Sequence, residues 1–214
     1  MKKFFNKLRG KSDPPPSPLS HPRQLSVGDL MKLDDSFALP IELRDVMFEV
    51  LEVNTSQFEH AHEPEWILKG DSGQPIFFSI EEEDGESCAA FSIKVDRGDV
   101  ESLFDMEQFS SIFEDGLPTR LHANSIDGSL SSWVTGTYEQ SGQSERGFFY
   151  KKDYRGSQPP ETEGSGEPFD YYCLCSEDDD YAVEIEVWGN GETDILLTIY
   201  RPLSDIRELW PAKK

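Results

Sequence analysis

Residues 181–201 read YAVEIEVWGNGETDILLTIYR, and the fold turns on how this stretch is read. Apolar and acidic residues alternate through Val183, Glu184, Ile185, Glu186 and Val187, the period of a strand with one apolar face. Val183, Ile185 and Val187 then share one side, and Glu184 and Glu186 share the other. The joint WGNGETD places Asn190 and Gly191 where a tight hairpin needs residues that tolerate positive φ. ILLTI forms the return strand. Upstream, YYCLC (171–175) reads as a strand that puts Tyr171, Cys173 and Cys175 on one side and Tyr172 and Leu174 on the other, before SEDDD turns the chain. Downstream, PLSDIREL (202–209) reads as a closing helix.

The same pattern runs earlier in the chain. VMFEVLEVNT alternates approximately, and EPEWILKGDSGQPIFFSIEEEDGESCAAFSIKVD gives three apolar runs split by GDSGQP and EEEDGE, both turn-forming compositions. RGDVESLFDMEQFSSIFEDG sets Val100, Leu103, Phe104, Phe109, Ile112 and Phe113 at helical spacings and closes on Gly116, so one or two short helices are expected there. GFFYKKDYR belongs to a second hairpin, and SQPPETEGSGEP is a loop. The expected fold is therefore α+β and β-rich. It has two antiparallel meander lobes, 25–118 and 119–214, each followed by a short helix and preceded by a disordered tail over 1–24.

Composition bounds the function. The chain has 214 residues with 42 acidic and 20 basic side chains, a net charge of -22, and 14 Phe, 7 Tyr and 4 Trp to supply a core. Such a surface repels phosphate backbones, so nucleic acid is not an expected partner. Three cysteines do not suggest a disulfide scaffold, and no apolar run approaches the roughly 18 residues that span a bilayer. A cytoplasmic setting is expected. The first eleven residues oppose the rest: Lys2, Lys3, Lys7, Arg9 and Lys11 carry five positive charges, and the remainder holds 15 basic and 42 acidic groups. A short helix would place Phe4, Phe5 and Leu8 on one stripe flanked by Lys2, Lys3 and Lys7, as in an interfacial anchor. The bland alternative is an unstructured, solubilising start. DPPPSPLSHPR then forms a stiff spacer.

The stretch EIEVWGNGETDILLTIYRPLSDIRELWP, with the loop GSGEPFDYY and the basic, Phe-containing start, resembles the bacterial YjfK-like family. The resemblance implies an envelope-maintenance setting, because such proteins are typically encoded beside phage-shock-type coiled-coil proteins, small membrane proteins and a glutathionylspermidine-synthetase-like protein. It implies no catalytic residues.

Candidate chemistry is sparse. His60 and His62 would share a side of an extended segment, with Glu63 or Glu65 to complete a metal site, but a third ligand at motif spacing is missing and a polar loop is the simpler reading. Cys173 and Cys175 share a strand face at a rise of roughly 6.5 to 7 Å, poor for a disulfide and tolerable for a shared metal. Without a second Cys or His pair, they read as small buried hydrophobes. The acidic runs read as charged turns. No nucleophile elbow or phosphate loop is present, and no cofactor is expected. The chain is thus expected to be a non-enzymatic acidic interaction module with a protein partner, touching an anionic inner-membrane surface through its tail. The alternative is an enzyme or carrier for a cationic small molecule such as a polyamine conjugate, drawn in by the acidic surface.

Overall fold

The computed structural model describes residues 19–83, 85–114, 116, 118–125, 128–160 and 164–212. Lys2, Lys3, Phe4, Phe5, Lys7 and Leu8, the proposed membrane contacts, lie outside the described residues. Twelve strands form one antiparallel sheet: β1 (Leu30–Leu33), β2 (Met47–Gln57), β3 (His62–Lys69), β4 (Pro75–Glu83), β5 (Glu86–Val95), β6 (Arg120–His122), β7 (Thr137–Gln140), β8 (Glu145–Tyr150), β9 (Glu167–Ser176), β10 (Tyr181–Trp188), β11 (Thr193–Pro202) and β12 (Ile206–Trp210). Two helices, α1 (Arg97–Leu103) and α2 (Met106–Ser110), follow β5. Asp96 and Asp105 cap them by accepting backbone N–H bonds.

The expectation of two meander lobes with helices is overturned. Strands β2, β3, β4, β5, β11, β10, β9 and β8 close in that order into an eight-stranded barrel. Strand β5 pairs with β11 from Val95↔Ile195 to Cys88↔Pro202, which joins the two halves of the chain. Strand β8 completes the ring by pairing Phe148, Phe149 and Tyr150 with Gln57, Ser56 and Thr55 of β2, and Glu145 to Phe149 with Tyr171 to Glu167 of β9. Separate meanders would each leave two rows of unpaired backbone groups, and closure removes those edges. At Gly147 of β8 the Phe169 ring lies where a side chain would begin, so only glycine admits this approach.

Two other local expectations change. Residues 202–209 form no closing helix: a single 3-10 turn at Leu203–Asp205 leads into β12, which pairs with β1 from Leu30↔Trp210 to Leu33↔Ile206. The open edge of β1 offers backbone partners that a short helix would forgo, and an Arg207–Asp34 ion pair joins the two segments. In the 189–192 loop only Gly191 takes positive φ (88°), and the hairpin closes through Gly191 N–H to Trp188 O (2.9 Å) and Trp188 N–H to Glu192 O (2.9 Å).

Alternation sorts the barrel side chains into two sets. The apolar set, Val53, Trp66, Phe78, Phe91, Ile199, Val183 and Leu174, is contributed by seven neighbouring strands and is 0–7% exposed. It belongs to one cluster with Met31 and Leu33 of β1, Leu39 and Leu43 of the following loop, Val100 and Leu103 of α1, and Tyr138 of β7. These segments pack over the outer wall, so the hydrophobic core lies outside the ring. Across three strands, Trp66 packs at a tilt on Phe78 at 5.3 Å and Phe78 stacks on Phe91 at 5.2 Å. The Trp66 indole N–H donates to Leu25 O at 3.0 Å. The opposite set faces the lumen.

Candidate functional site

The lumen is lined by side chains from all eight barrel strands. Glu52, Asn54, Glu65, Ile67, Phe77, Lys94, Leu196, Asp194, Glu186, Trp188, Glu167 and Phe149 surround one cavity of about 400 Å³, within the size range of small-molecule sites. Glu65 on β3 and Glu184 and Glu186 on β10 come from opposite walls of the ring, yet their charges act on one another. That mutual influence fixes the inward direction of this face.

Burial first, then repulsion from Glu184 and Glu52, pushes the Glu65 carboxyl up to about 7, against a hydrogen bond to Asn54 that favours its ionised form. Burial, then Glu65, Glu184 and Asp194, pushes Glu186 up to about 8, against the Lys94 charge that favours its ionised form. Glu184 is raised by burial, against hydrogen bonds to Thr198 and Tyr171. Charge crowding in a poorly solvated space disfavours the ionised form of each. Two other acids at the mouth are already neutralised: Lys151 pairs with Glu52 at 3.2 Å, and Lys94 pairs with Asp194. Among the described residues, Glu65, Glu184 and Glu186 form no ion pair.

Aromatic rings frame this acidic interior. Trp188 meets Phe149 edge-on at 5.7 Å and Phe169 at 5.2 Å, and Phe58 leans on Phe169 and Tyr171 at 5.7 and 5.8 Å. Deeper along the wall, Ser92 and Thr198 share a hydrogen bond of 2.7 Å. Burial and the Glu184 charge hold the Tyr171 and Tyr200 hydroxyls well above the usual tyrosine range, so both stay protonated donors. Glu63, exposed, lies within electrostatic reach of Glu81, Glu145 and Glu184.

The residues singled out from sequence divide between the two faces. Cys173 and Cys175 share the lumen side of β9, as alternation predicts, with Sγ atoms 3.7 Å apart, much closer than the strand rise suggests because the side chains lean together. His60 lies in the β2–β3 turn and His62 opens β3, both exposed. Alternation places His62 with Pro64 and Trp66, and Glu63 and Glu65 on the other face, so the mixed metal site is not assembled. Among the described residues, no group of three or more His, Cys, Asp or Glu is placed to hold a metal ion. The SEDDD run is a turn, with Ser176 Oγ donating to Asp178 at 2.6 Å and Asp179 at φ 56°.

Sequence reasoning missed Glu65, Glu184 and Glu186 as a group. A usable signal was present in the company they keep: their face also carries Asn54, Ser92, Thr198, Cys173 and Tyr171, uncharged polar groups interspersed among the charged ones. A larger apolar groove of about 780 Å³ lies beside α2, lined by Pro75, Val95, Val100, Met106 and Phe109. Of its charged groups, Asp96 caps α1 and Arg97 pairs with Glu101. No protein-family model, curated protein or solved structure matches the chain. Among the described residues no helix is long and apolar enough to cross a membrane.

Proposed function

We propose that the barrel binds a cationic small molecule of the linear polyamine class in its lumen. The observation that carries this reading is the set of Glu65, Glu184 and Glu186, three mutually repelling carboxylates from opposite walls of the barrel, two of them lining its cavity, that form no ion pair among the described residues. Crowded carboxylates of this kind lower their free energy by admitting positive charge. A chain of methylenes between amines suits the rest of the wall, because Ile67, Phe77, Leu196 and Trp188 present apolar surface between the acids. The net charge of -22 raises the local concentration of such a cation and speeds its approach. Binding is non-covalent, and no catalytic step is assigned.

Thermal unfolding at pH 8 with millimolar spermidine in moderate salt tests the reading. A rise in melting temperature of several degrees is expected, matched by no comparable rise with sodium at equal ionic strength. Equal responses to the two cations would reduce the effect to screening of the surface and remove the lumen from the account.

A second reading draws on the charge reversal after Lys11: the basic start docks an acidic body onto an anionic inner-membrane surface or a protein partner. It is compatible with the first, since a tethered barrel keeps its lumen.

A further inference from the structure

We propose that Cys173 and Cys175 form a two-sulfur site for a soft monovalent cation of the copper(I) class. Strand alternation carries both thiols to the lumen side of β9, and their Sγ atoms stand 3.7 Å apart, close enough for one ion to bridge them after small rotations about χ1. Soft d10 ions prefer thiolate sulfur over the carboxylates that surround it. Because the described residues set no third His, Cys, Asp or Glu with the pair as a metal group, the site suits an ion that accepts two ligands and not one that demands four. A groove of about 830 Å³ bordered by Arg120, His122, Glu139 and Asp179 reaches Cys175 and supplies an entry path.

The charge balance also fits. Two S–H bonds are replaced by two S–metal bonds, so two protons leave the thiols as the ion binds. One of those protons passes to a carboxylate of the acidic wall and the other to solvent. One positive charge enters and one leaves, so loading adds no net charge to a crowded acidic space. No electron is transferred. The two metal ligands, Cys173 and Cys175, are not among the carboxylates that carry the polyamine reading, so the two proposals are tested separately.

Anaerobic titration of the full-length reduced protein with copper(I), in competition with bicinchoninate, tests it. One equivalent is expected to bind, with affinity falling by about 100-fold or more in Cys173→Ser and in Cys175→Ser, because each loses the advantage of two linked donors. Cys88→Ser should bind as the parent does. Wild-type affinity that survives in the Cys173→Ser/Cys175→Ser double variant would overturn the site. Should the serine variants not fold, X-ray absorption on the wild-type protein loaded with one equivalent decides: two sulfur scatterers support the site, and nitrogen or oxygen ligation overturns it. Spermidine binding unchanged by the copper outcome keeps the two proposals separate.

Discussion

Replacing Glu65 and Glu186 together by glutamine is expected to raise the melting temperature at pH 8 by about 5–10 °C and to abolish the response to spermidine. The two carboxyls sit on opposite walls of the lumen and are held at about 7 and about 8. Both values exceed those of the unfolded chain, so the folded state binds these protons more tightly. Stability from this source is fully present below the unfolded value of about 4.5 and is lost as pH rises through 7 to 8. Above pH 8 the fold carries both charges. Glutamine keeps the shape and the hydrogen-bonding capacity without the charge, and it should recover on the order of 2–4 kcal/mol there. The gain should fade toward pH 5, where the carboxyls are protonated in the fold. A substitution that stabilises the protein while removing ligand binding identifies groups retained for function at a cost in stability. Thermal melts of parent and double variant at pH 5, 6.5 and 8 check this. A loss of stability at pH 8 would place the acids in structural roles.

The outer wall should respond in the opposite direction. Trp66→Ala is expected to cost about 3–5 kcal/mol, measured by urea unfolding. Trp66 is fully buried, packs at a tilt on Phe78 at 5.3 Å, gives its N–H to Leu25 O and lies beneath the Arg155 guanidinium at 5.2 Å. Truncation removes a large apolar surface, leaves a cavity in the cluster that wraps the ring, and strands a carbonyl acceptor. A change below about 1 kcal/mol would mean that the wrapping segments contribute little, contrary to a core outside the barrel. On the lumen side, Glu65 is the immediate chain neighbour of Trp66. Adjacent residues of one strand are thus expected to change stability with opposite signs.

That contrast marks the limit of what was legible in the sequence. Alternation identified Val183, Ile185 and Val187 as one face and Glu184 and Glu186 as the other, and the barrel keeps that division. It also anticipated the shared face of Tyr171, Cys173 and Cys175 and the helices that begin after Val95. It could not say that the acidic face points inward, because a period of two is the same whether the polar side meets bulk water or a lumen. The direction depends on closure, which rests on β5 meeting β11 about a hundred residues later in the chain and on the six-residue β8 bridging β2 and β9. Such pairings are set by backbone groups that carry no side-chain signature. The 206–210 segment was misread for a related reason: Ile206 and Leu209 fit a helical stripe, and the vacant edge of β1 decided for a strand.

The claim that positive charge enters among raised carboxylates is tested most directly by proton release. At pH 7, isothermal titration of spermidine into the protein, repeated in buffers of different ionisation enthalpy, counts protons displaced per ligand bound. A cation seated beside Glu65, Glu184 and Glu186 lowers their pKa values and should expel roughly one proton per spermidine, an effect that disappears in Glu65→Gln/Glu186→Gln. Binding without proton release, or release that persists unchanged in that variant, would contradict a lumenal site.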